Sequence, residues 1–282
     1  MAKEVNGHRI EPGADLRGAD LRGAHLCGEN LAGANLEGAY LRGANLTDAN
    51  LTKARLRQVN LVRALLTNAN LSYADLYEVI MVDVDLSRVN LQGANLANAN
   101  LADENLADAN LCEAILANAN LAGANLTNSK VAGANLYASN LRNAKFTGAN
   151  LTGSNLGLAD LTGADLSRAC LRGVNLVGAN LTNASLDSAN LEDAILNNAN
   201  LSGACLRYAD LWFADLANAF LADANFSGAN LRSVNFAGAN LSGANLTNSI
   251  LTNAKWASAN LNGAILPVGW LRDEWSWSLK RR

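Results

Sequence analysis

The residues of this 282-residue chain with most chemical potential are its acids. Eight carboxylates and a single base, Arg88, fall between residues 75 and 113. Asp83 and Asp103 stand at positions i and i+20, and Glu104 directly follows the second. Clustered carboxylates repel unless a cation sits among them, and Ca2+ takes such oxygen ligands. Asp83, Asp103 and Glu104 are a candidate cation site if the fold stacks positions 20 apart. The rest of the inventory is thin. His8 and His25 are the two histidines, both near the start of the chain. Cys27, Cys112, Cys170 and Cys205 form no CxxC pair and read as free thiols of a reducing compartment. No GxSxG, phosphate-loop, GxGxxG or HExxH motif occurs, so no catalytic residue and no cofactor is expected.

Charge and hydropathy narrow the partners. The net charge is −3, from 22 basic and 25 acidic residues, which points to no nucleic-acid partner. The N-terminal MAKEVNGHRI has no apolar run after its lysine, and no stretch approaches ~18 consecutive apolar residues. The expectation is a cytoplasmic protein with no membrane contact.

The elements that must position these side chains follow from a period of five. From Leu16 to Leu266 every fifth residue is large and apolar, and 45 of these 51 positions are Leu. Two residues earlier runs a second register, from Ala14 to Ala264, in which 39 of 51 are Ala. The residue between the two is Asn or Asp in 35 cases. A period of five fits neither a 3.6-residue helix nor a long strand. Residues i and i−2 share one face of a short extended segment. The Asn or Asp between them faces the other way, and the two remaining positions turn the chain. One pentad cannot bury its leucine alone, so the pentads must coil and stack.

The motif A-[DN]-L-x-x, as in AGANLEGAYLRGANLTDANL at residues 32–51, resembles the pentapeptide-repeat family, and the resemblance covers residues 14–266. It implies an all-β fold, a right-handed quadrilateral parallel β-helix of four pentads per coil and about 12–13 coils. At ~4.8 Å per coil the rod is roughly 60 Å long. Both ends of such a rod carry unpaired backbone edges and need covering. Residues 1–13 are the expected N-terminal cap. Residues 267–282 are the expected C-terminal cap, with a candidate short helix. There Leu271, Trp275 and Leu279 fall at helical spacing, and Trp270 and Trp277 add apolar surface for a candidate homodimer contact.

Positions i and i+20 become vertical neighbours in such a coil. Glu29 and Glu104 occupy the inward alanine register, where an unpaired carboxylate is costly. Glu29 is expected to pair with Arg9. For Glu104 no base stands at i±20, and the preferred reading is a bulged coil near 79–106 that lets it bend toward solvent. On the surface, Arg88 should meet Asp108, Asp187 should meet Arg207, Arg172 should meet Glu192, and Trp212 should lie under Arg232 as a cation–π pair. The exposed Ile80, Ile115, Ile195 and Ile250 read as neutral variation on different faces. A Thr/Ser column from Thr47 to Ser167 is broken by Ala107 and so makes a poor ice-binding face.

Tyr208, Trp212, Phe213 and Phe220 concentrate four of the 15 aromatics in one short run of the chain. Exposed aromatics anchor partner sites, so these four are the candidate protein-interaction patch. The resemblance allows two functions. One is a non-enzymatic scaffold or spacer with an unidentified protein partner. The other is the DNA mimicry of the family's quinolone-resistance members, which resemble duplex DNA and bind DNA gyrase. Duplex DNA carries one charge per ~1.7 Å, so a ~60 Å mimic needs about 35 negative charges. Residues 14–266 hold 21 acids and 16 bases, and the scaffold reading is preferred.

Overall fold

A computed structural model describes residues 3–270. From residue 13 onward one local pattern repeats. Ala19 N donates to Leu16 O at 3.1 Å, which closes a four-residue turn. Gly18, the third residue of that turn, has φ +64°, and Arg17 before it is not in the left-handed region. This is the type II pattern, in which only the third residue needs positive φ. Glycine fills that place in many pentads, as at Gly18 and Gly23. Asn and Asp fill it often, as at Asp48 and Asn68. Their short polar side chains tolerate the left-handed region better than other L-residues do.

Between turns, parallel bridges join positions i and i+20, from Asp15–Asn35 through Asn245–Ile265. Each bridge uses two backbone bonds, as where Leu16 N donates to Asn35 O at 2.7 Å and Asn35 N to Ala14 O at 2.9 Å. Four pentads therefore make one turn of the coil, and every side chain has neighbours at i±20. The leucine register fills the interior, with nearly every member fully buried. The alanine register lines it with small side chains beside the leucines. Where serine replaces alanine, its hydroxyl is satisfied locally: Ser129 Oγ donates to Leu126 O at 2.7 Å.

The two ends differ. Strands β1 (Lys3–Val5) and β2 (His8–Ile10) pair antiparallel as a hairpin over the first turn. Ile10 is buried there. At the other end the interior turns aromatic. Trp256 stacks on Phe236 at 4.6 Å, and Trp270 meets Trp256 edge-on at 5.6 Å. Leu271, Trp275, Trp277 and Leu279, expected to form the C-terminal helix or dimer contact, lie outside the described residues.

Candidate functional site

The acidic stretch does not assemble a metal site. Asp83 turns to Arg63, at 3.5 Å, and Glu104 turns inward. The Asp103 carboxylate lies over Gly123, where an added Cβ would stand 2.0 Å from its Oδ1. Among the described residues no group of three or more ligating side chains converges on a cation position. The candidate cation site is thereby corrected: its three carboxylates each have another place to go.

Glu104 corrects a second expectation. It is 5% exposed and does not bend toward solvent. Its Oε2 accepts a hydrogen bond from Val84 N at 2.8 Å, and the Asp83 amide also bonds to it. The turn one coil below has opened to allow this. The regular pattern would pair Val84 N with Met81 O and Asp83 N with Ala102 O, and neither bond is formed. A glutamate is too long for the alanine register, so it displaces the turn beneath and takes two of its amides. The bulge near residue 80 is real, but it serves to bury the acid. Burial pushes the Glu104 carboxyl above the ordinary range against the pull of the two amides, and Asp83 and Asp103 push the same way.

Glu29 is also differently paired. Lys3 Nζ reaches its Oε1 at 2.9 Å and His25 O at 2.6 Å, while Arg9 binds Glu11. The hairpin reverses the chain, so Arg9 does not continue the i±20 stacking. Of the expected surface pairs, Asp187–Arg207 and Arg172–Glu192 form. Among the described residues Arg88 and Asp108 make no ion pair. The cation–π contacts place Arg57 over Tyr77 and Arg22 over Tyr40, and none joins Arg232 to Trp212. All four cysteines are free.

The aromatic cluster is exposed but divided. Trp212 and Phe213 touch, with ring centroids 4.8 Å apart. Tyr208 lies instead over Gly228, its ring within 2.7 Å of where a Cβ would stand. Phe220 bridges to Asn200 and Asn240, on a different face from Trp212. The run from Tyr208 to Phe220 spans more than half a coil, so closeness in sequence scatters side chains around the rod. Spacing by 20 gathers them. Ile115 and Ile195 are four coils apart in one column, which corrects their assignment to different faces. Tyr137, Leu158 and Val177 lie on the same side of the rod. That apolar face was missed, although division of the residue numbers by 20 would have found it.

A family model of pentapeptide repeats matches eight successive copies, from residues 13–48 to residues 239–267. The chain belongs to the pentapeptide-repeat family. HetL is a pentapeptide-repeat protein involved in heterocyst differentiation regulation in the cyanobacterium Nostoc sp. strain PCC 7120. It is 35% identical over 78% of this chain and 92% of its own, with a TM-score of 0.31. Rfr23 from the cyanobacterium Cyanothece 51142 is 32% identical over 47% of this chain and 86% of its own, with a TM-score of 0.24. The plasmid-mediated fluoroquinolone resistance protein QnrB1 is 21% identical over 69% and 97%, with a TM-score of 0.38. None of the curated proteins matches. Pentapeptide-repeat proteins are in general structural or interaction proteins.

Proposed function

We propose that this pentapeptide-repeat chain is a non-enzymatic, right-handed quadrilateral rod that serves as a protein-interaction scaffold or spacer in the cytoplasm. The observation that carries this reading is the Trp212–Phe213 pair, two touching aromatic rings left 42% and 54% exposed between the polar Glu192–Asp193 and Arg232–Ser233 turns of the adjoining coils. Exposed aromatic pairs gain most when a partner desolvates them. Residues 1–13 and 267–282 act as caps in this reading, and no cofactor, nucleic acid or membrane takes part.

The DNA-mimic alternative is disfavoured by the arrangement of charge. The surface acids of residues 75–113 distribute over all four sides of the coil: Asp83 and Asp103 share one, Asp85 and Asp108 a second, Asp75 and Glu78 a third, and Glu113 takes the fourth. They form a belt around the rod, while a mimic of duplex DNA needs stripes along it. The experiment is a paired pull-down from cell lysate with the full chain and with a Trp212→Ser/Phe213→Ser variant. A Phe220→Asn variant controls for general surface change. A protein retained by wild type and Phe220→Asn but lost from the double variant supports the reading. Equal retention by all three, or recovery of gyrase subunits, counts against it.

A further inference from the structure

One side of the rod differs from the other three. Its outward columns run through residues 95, 115, 135, 155, 175 and 195, with their two following turn residues. From Asn95 to Asn198 this side carries no charged residue. Over the same coils the other sides carry Asp103, Arg142 and Asp160, or Lys145, Asp165 and Arg168, or Lys130, Arg172 and Glu192. The uncharged side is also apolar. Ile115 and Ile195 are each 43% exposed, Tyr137 42% and Leu158 55%.

This side is smooth and has little unmet polarity. The Tyr137 ring lies against Gly157, with Cδ2 3.4 Å from where a Cβ would stand, and Leu158 lies over Gly178 in the same way. Its central asparagines, Asn135, Asn155 and Asn175, bond one another along the rod. Asn175 Nδ2 donates to Asn155 Oδ1 at 3.1 Å, and Asn155 Nδ2 to Asn135 Oδ1 at 3.3 Å. Those oxygens also accept the backbone amides of Gly157 and Tyr137, each at 3.1 Å. Covering groups that already have partners incurs little of the desolvation penalty that bare polar groups carry.

The central column is palindromic about Asn155 from Ile115 to Ile195. Counting coils outward from that residue, Asn135 matches Asn175 and Ile115 matches Ile195; in the flanking columns Asn118 matches Asn198, Ala138 stands opposite Gly178 and Tyr137 opposite Val177, while Ala117 stands opposite Asn197. A two-fold interface brings one patch against itself, so residue i meets j and j meets i. A palindromic column places like beside like under such an axis.

We propose that this face is a homodimer interface in which two copies lie antiparallel across a two-fold axis through Leu158. The area suffices. The chain exposes 12468 Å². Divided among four faces and about thirteen coils, with allowance for the ends, this gives on the order of 150–200 Å² per face per coil. The five coils from Ile115 to Asn198 that lie symmetrically about Leu158 then offer roughly 750–1,000 Å², against ~800 Å² per partner in a standard interface. Any other face laid on itself would bring charges into the contact. At the rim, the exposed Glu113 of one copy comes near the exposed Asp193 of the other, so added salt strengthens association. This lateral contact is independent of the Trp212–Phe213 patch and of residues 267–282.

The test is sedimentation velocity of the full chain over a concentration series from about 0.1 to 100 µM, a range that spans ordinary dimer affinities. Leu158→Asp is the first variant. Leu158 has φ +57°, a conformation that Asp tolerates well, so the fold is preserved while two like charges meet on the axis. The dimer should weaken ~100-fold or more. Ile115→Lys and Ile195→Asp occupy a register that already holds Lys130 and Asp165, and each alone should weaken the dimer ~10-fold or more. Together they place the new lysine of one copy against the new aspartate of the other. The double variant should recover to within a few-fold of wild type. A wild type that stays monomeric throughout, a dimer undisturbed by Leu158→Asp, or a double variant weaker than either single one overturns the proposal.

Discussion

Replacing Glu104 with alanine should stabilise the rod, against the usual expectation for loss of a buried hydrogen-bonding group. In the native chain its carboxylate accepts the Val84 amide at 2.8 Å together with that of Asp83, and it is 5% exposed. Truncation that left both amides stranded would cost about 1–3 kcal/mol for each. The amides have another destination, however. Alanine is the normal occupant of this register, and with alanine in place the turn can close as the others do. Val84 N then donates to Met81 O and Asp83 N to Ala102 O, two neutral bonds of about 0.5–1.5 kcal/mol each. What is given up is a carboxylate whose pKa is raised because burial, together with the charges of Asp83 and Asp103, outweighs its hydrogen bonds. The balance favours Glu104→Ala by about 1–2 kcal/mol at neutral pH.

The pH dependence follows from the same shift. The folded-state pKa of Glu104 lies above its unfolded value, so the ionised acid weakens the fold at neutral pH. As pH falls through the folded pKa toward the unfolded one, the wild type recovers that loss and the advantage of Glu104→Ala shrinks. Stacked coils need not melt together, so the readout is native-state hydrogen exchange at the Asp83 and Val84 amides. Those amides should exchange more slowly in Glu104→Ala than in wild type at pH 7, with the difference fading in acid. Faster exchange in the variant would refute the reasoning. It would mean that Met81 and Val84 open the turn by themselves and that Glu104 repairs it.

Three further outcomes test the rest of the fold. Gly153 has φ +63° with open space where a Cβ would go; Gly153→Asn should be nearly neutral, whereas Gly153→Val should lower local stability by about 1–2 kcal/mol in thermal melts. Leu156→Ala empties one fully buried position and should cost about 2–5 kcal/mol, with exchange accelerated in its own coil and the two adjoining ones. The Arg17 and Arg22 guanidiniums hold the Asp15 and Asp20 carboxyls at about 2. These depressed folded values mean that the pairs support the fold above the ordinary carboxylate range and lose that contribution as pH falls toward 2. In Arg17→Ala, Asp15 should titrate higher by NMR, part of the way back to an ordinary aspartate because the residue-17 amide still donates to its Oδ1, and an unmoved titration would show that the guanidinium is not the cause.

How much of this was legible in the sequence depends on which spacing is read. The five-residue period located every buried leucine and nearly every turn of the coil, because each pentad makes the same local choice whatever its neighbours are, the opened turn at Met81–Val84 excepted. The i±20 rule then paired Asp187 with Arg207 and Arg172 with Glu192 without coordinates. It failed at Glu29, since the hairpin at Lys3–Ile10 reverses the chain and brings Lys3 alongside. It could not fix Glu104, because a rotamer that displaces a backbone turn is decided by the balance of burial against hydrogen bonding, and residue type alone does not set that balance. The interaction surface shows the same distinction. Tyr208 through Phe220 look like one patch in a linear reading, yet a coil of 20 carries them around the rod. Ile115 and Ile195 look unrelated in the linear chain, yet they share one column, four coils apart. In a chain of this kind the surface a partner meets is written at intervals of 20, so local clusters mislead and distant ones coincide. That is why the uncharged side from Asn95 to Asn198, whose members recur at intervals of 20, shows only once the chain is wound into its coil.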